Sequence, residues 1–148
     1  MRRGAVLVAL VLALVGCSQN PRHNYAVASQ TVGASLFAIQ DAEMAAFTTR
    51  RCPDGIASNT CITLEQHQGF NRVLVTALEL GRSFNTAVRS WESGTPPPIE
   101  LPQIKDAISQ LAAFLARTYP PELQVEIQKT ITASYDAIIA VLLAGGSR

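Results

Sequence analysis

Between residues 63 and 92 the positions Phe70, Leu74, Ala77, Gly81, Phe84, Val88 and Trp91 follow one another at steps of four and three without a break. That spacing lines them along one side of an α-helix of about eight turns and would scatter them over both faces of a strand, so it commits this stretch to a helix with one buried stripe. Its ends are marked beside it. Thr63-Leu64-Glu65-Gln66 has the form of a capping box, and Gly94 followed by Pro96-Pro97-Pro98 denies the helix a continuation.

The same period runs through the rest of the chain. Residues 25–50 are rich in Ala and other small residues, with Val32, Leu36, Ile39, Ala46 and Phe47 spaced for one face. Behind Pro102, the residues Ile104, Ile108, Leu111 and Leu115 form a third stripe that ends at Tyr119-Pro120-Pro121. A fourth runs from Glu122 to Ala144 through Leu123, Ile127, Ile131, Ile138 and Leu142, and closes on Gly145-Gly146. No segment sustains the alternation of a strand. Four helices of about 26, 30, 17 and 23 residues with short connections predict an all-α, antiparallel up-down-up-down four-helix bundle over residues 25–148. Phe70, Phe84 and Trp91, at heptad spacing, are expected in its core. The apolar stretch Ala137 to Ala144 is too short to cross a bilayer and reads as a buried helix end.

The start of the chain follows a different pattern. Arg2 and Arg3 precede an unbroken run of eleven apolar residues, Ala5 to Val15, and then Gly16. A basic start and an apolar run of that length make a secretory signal over residues 1–16, whereas a stable transmembrane helix needs about 20 apolar residues. Gly4-Ala5-Val6 does not continue a twin-arginine motif. The run ends in Leu14-Val15-Gly16-Cys17, which resembles the lipobox of bacterial lipoproteins. The resemblance covers residues 1–17. It implies that the Cys17 thiol carries a diacylglyceryl group, that cleavage makes Cys17 the mature N-terminus, and that residues 17–24 form a lipidated tether. It also implies a location in the cell envelope. In a double-membraned bacterium, Ser18 after the lipidated cysteine implies the outer membrane, facing the periplasm.

Composition is informative once the leader is set aside. The 12 Lys and Arg and 11 Asp and Glu give a formal charge of +1 over 148 residues, but Arg2 and Arg3 belong to the leader, so the remainder is slightly acidic. The Arg residues are spread along the chain rather than clustered, which excludes a nucleic-acid-binding arm. The remaining 132 residues suffice to bury a core without a metal. Of the three cysteines, Cys52 and Cys61 are left after Cys17, and export to an oxidising compartment makes a structural disulfide the economical expectation. It would close a loop of about ten residues and contribute roughly 2–3 kcal/mol.

Catalytic chemistry is not legible. The two histidines are His23, in the tether, and His67, one turn into the second helix and expected to be exposed or to serve the helix end. Glu65 stands two residues before His67, on another face, so the Glu-x-x-His pattern of a carboxylate metal centre is missing. Glu43 could be partly buried, but one carboxylate makes neither an acid–base pair nor a metal site. There is no haem-attachment motif and no glycine-rich phosphate cradle. No catalytic residue, metal or cofactor is therefore expected.

With the first helix leading away from the membrane, alternating topology carries the Cys52–Cys61 loop and the Tyr119 hinge to the far tip. Arg50, Arg51, Asp54 and Tyr119 are there the candidate surface for an envelope protein partner. The expected role is a membrane-anchored structural or interaction lipoprotein. The alternative is a small-molecule or lipid-binding bundle with a cavity between helices near Gly33 and Gly81.

Overall fold

The computed structural model describes residues 21–53, 56, 58–91 and 100–146. The leader, Cys17, Asp54 and the Pro96-Pro97-Pro98 connection lie outside the described residues. Four helices follow in order: α1 (Pro21–Arg50), α2 (Leu64–Ser90), α3 (Glu100–Thr118) and α4 (Pro121–Gly146). Each packs on its two neighbours around a ring, α1 against α2 and α4, and α3 against α2 and α4. Contacts run in opposite senses along adjacent helices. Tyr25, early in α1, meets Trp91 just past the end of α2, while Glu43, late in α1, meets His67 at the start of α2. The fold is the antiparallel four-helix bundle that the apolar stripes predict.

The stripes face one another. Val32, Leu36 and Ile39 of α1, Phe70, Leu74, Ala77, Phe84 and Val88 of α2, Ile104, Ile108, Leu111 and Leu115 of α3, and Ile127, Ile131 and Ile138 of α4 make one continuous core. Among the described residues there is no strand, only an isolated parallel bridge between Arg51 and Ile62.

Helix ends depart from the sequence expectation, and prolines explain most of the departures. α1 begins at Pro21, four residues before the apolar region starts, so the helix takes up the second half of the 17–24 tether. A proline at the first helical position has its fixed φ pre-set and gives up an N–H that would be unpaired anyway. α3 begins at Glu100 rather than behind Pro102, which fits in its first turn for the same reason. α4 opens on Pro121 directly after Tyr119-Pro120. At α2 the capping box forms: the Thr63 side chain accepts from the Gln66 backbone N–H, and the Gln66 side chain accepts from Thr63 N.

Glycine allows close helix approach at two points. A Cβ on Gly81 would lie 3.0 Å from Leu36 Cδ1, and one on Gly69 only 2.5 Å from the Phe114 ring. Gly81 is thus packed closely against Leu36, whereas a Cβ on Gly33 would meet nothing within 4 Å.

Candidate functional site

The connection from α1 to α2 is fastened three times at the tip of the bundle. Cys52 and Cys61 are joined in a disulfide with Cα atoms 5.0 Å apart. Beside it, Cys52 N donates to Ile62 O at 3.0 Å and Ile62 N donates to Arg50 O at 2.7 Å. Ile62 itself is fully buried and plugs the core from the loop. The α3–α4 hinge is held to the same end: Gln66 Nε2 donates to Thr118 O, and Gln124 Nε2 donates to Tyr119 O at 2.6 Å.

Beneath this cover lies a buried polar chain. Glu43 follows Leu36 and Ile39 on the inner face of α1 and is only 1% exposed. Tyr119 extends the α3 stripe one turn past Leu115, and its hydroxyl donates to Glu43 Oε1 at 2.5 Å. His67 Nδ1 lies 2.9 and 3.0 Å from the two Glu43 oxygens. An ionised carboxylate only accepts, so Nδ1 is the protonated nitrogen of this pair. The His67 ring stacks on Phe47 with centroids 3.9 Å apart and planes 4° from parallel. Asn71 Nδ2 lies 3.0 Å from Nε2, the acceptor nitrogen once Nδ1 carries the proton, and 3.4 Å from Nδ1.

The environment acts most visibly on the tyrosine. Burial holds the Tyr119 hydroxyl well above its ordinary pKa of 10.0, and the hydrogen bond to Glu43 and the negative charge there push it further up. The carboxylate and phenol remain together because a buried charge without donors would be far more costly than the pair. His67 also lines an open groove of about 570 Å³ with Leu64, Gln68, Asn71, Arg72 and Val75.

These positions correct two expectations. Tyr119 is 3% exposed and turned inward, so it offers no side chain to a partner at the tip. His67 is not an exposed end residue, since its side chain is 12% exposed and bound to Glu43. Arg50 and Arg51 are exposed as expected, with the Arg51 guanidinium 5.7 Å from the Phe47 ring centroid, a cation–π arrangement; Asp54 lies outside the described residues. The Glu43–His67–Tyr119 grouping was missed because its members come from α1, α2 and the hinge between α3 and α4. A signal existed: Glu43 stands four residues after Ile39, Tyr119 four after Leu115, and His67 three before Phe70, so all three continue core stripes.

Among the described residues no group of three or more His, Cys, Asp or Glu could hold a metal ion. No family model, curated protein or solved structure matches the chain.

Proposed function

We propose that the protein is a cell-envelope lipoprotein, attached to a membrane through a diacylglyceryl group on Cys17, whose bundle serves as a structural or protein-interaction module rather than an enzyme. The observation that carries this reading is Leu14-Val15-Gly16-Cys17 at the end of an eleven-residue apolar run behind Arg2-Arg3. Two features of the bundle support it. No described helix is long and apolar enough to cross a membrane. Among the described residues the hydrogen-bond partners of His67 are Glu43 and Asn71, neither of them a hydroxyl or thiol of the kind acyl-transfer chemistry activates. The buried chain instead ties α1, α2 and the α3–α4 hinge together at the stapled tip, keeping Arg50 and Arg51 in a fixed place for a partner. Each buried methylene of an acyl chain contributes about 0.8 kcal/mol, so two chains give a lasting hold where one would not.

Metabolic labelling with palmitate in a bacterial host tests the reading. The full chain should incorporate label and sediment with membranes, while Cys17→Ser should do neither. Label or membrane attachment that survives in Cys17→Ser would contradict it.

A further inference from the structure

We infer that the end of the bundle opposite the disulfide, where Tyr25 meets Trp91, rests in the headgroup layer of the membrane that carries the anchor, making a lipid surface the partner of this face. The inference rests on the reading of Cys17 as the lipidated residue. Only Ser18, Gln19 and Asn20 stand between Cys17 and the first helical residue, Pro21. Four Cα-to-Cα steps span at most about 14 Å, so α1 starts beside the bilayer.

The side chains at that end suit the layer they would meet. Tyr25 lies about 6 Å along α1 from Pro21. Trp91, the C-cap of α2, returns to the same end and packs edge-on against it with ring centroids 5.0 Å apart. Both are partly buried: Tyr25 rests its inner side on the core, 6.5 Å from the Phe84 ring, and the pair keeps surface open to the outside. Tyr and Trp combine an apolar body with a polar end, and membrane interfaces favour such side chains. Arg89, exposed in the last turn of α2, donates from Nε to Asn85 Oδ1 at 3.1 Å. At about 1.5 Å per residue the 30 residues of α1 then carry Arg50 and Arg51 some 45 Å outward, free of the lipid.

Trp91 is the only tryptophan of the chain, so fluorescence reads this one place. The lipidated full chain is reconstituted into phosphatidylcholine–phosphatidylglycerol vesicles and recovered by flotation. Lipids brominated near the headgroup end of the acyl chain should quench Trp91 emission more than lipids brominated near the methyl end. In the double variant W91F/F37W the reporter sits on an exposed mid-helix position, about 24 Å along α1 from Pro21, and should keep its emission. Vesicle-bound protein whose Trp91 is quenched by neither lipid would overturn the inference, as would equal quenching in both proteins, the sign of a bundle lying flat. Protein that fails to float would overturn the anchor itself and the inference with it.

Discussion

Glu43 is a carboxylate kept out of water by the walls of an apolar core, and its two donors come from α2 and from the hinge between α3 and α4. Removing one donor leaves the other contact and an under-satisfied buried charge, a loss of roughly 1–3 kcal/mol. Tyr119→Phe should therefore lower unfolding free energy in urea by that amount at neutral pH while leaving helix content unchanged. The same substitution should alter the alkaline limb. An unfolded tyrosine ionises near 10.0, and folded Tyr119 does so only well above it, so its stabilising contribution is complete below pH 10 and falls as pH rises. The slope from this group approaches about 1.4 kcal/mol per pH unit. The wild-type curve of stability against pH should bend downward above pH 10 more steeply than that of Tyr119→Phe; parallel curves would show that the phenol does not resist ionisation in the folded state. The sequence carries a signal for inward faces at Glu43, His67 and Tyr119 in their spacing from Ile39, Phe70 and Leu115, which the reading of His67 as an exposed end residue and of Tyr119 as partner surface did not use. What the sequence lacks is the relative height of these elements, and that height decides whether the inward groups touch.

At the level of elements, helix interiors were legible and helix ends were not. An apolar stripe is a repeated signal in which one ambiguous residue changes little, as the α2 series from Phe70 to Val88 illustrates. A boundary rests on one or two residues, and at Pro21, Pro102 and Pro121 a ring that stops a helix from one side opens it from the other. Glycines within helices give a sharp comparison. Gly69→Ala would drive a methyl group into the Phe114 ring and should destabilise the bundle, whereas Gly33→Ala enters open space and should stabilise it by about 0.5–1 kcal/mol through helix propensity. Thermal melts of the two variants should move in opposite directions. The stapled loop makes another element-scale prediction: Cys52→Ala with Cys61→Ala frees a loop of about ten residues and should cost roughly 2–3 kcal/mol, read from urea unfolding. Since Ile62 and the capping box remain, circular dichroism should show the same helix content.

For the whole molecule, the chain divides its labour along the bundle axis. One end is closed by the disulfide, Ile62 and the Glu43–His67–Tyr119 chain, and the other, at Tyr25 and Trp91, is the end from which the chain leads back to Cys17. The topology was legible because four amphipathic stripes with short connections leave few ways to bury every stripe at once. Function was less so, because the interaction surface we propose needs no special residue types, and exposed Arg50 and Arg51 look like any solvated arginines. The central claim, attachment through Cys17, is tested most directly by the intact mass of the chain purified from the envelope of a bacterial host, with tandem mass spectrometry of its N-terminal peptide. The account predicts a chain that begins at Cys17 and carries a diacylglyceryl group on its sulfur; a chain that retains residues 1–16, or starts with an unmodified thiol, would contradict it.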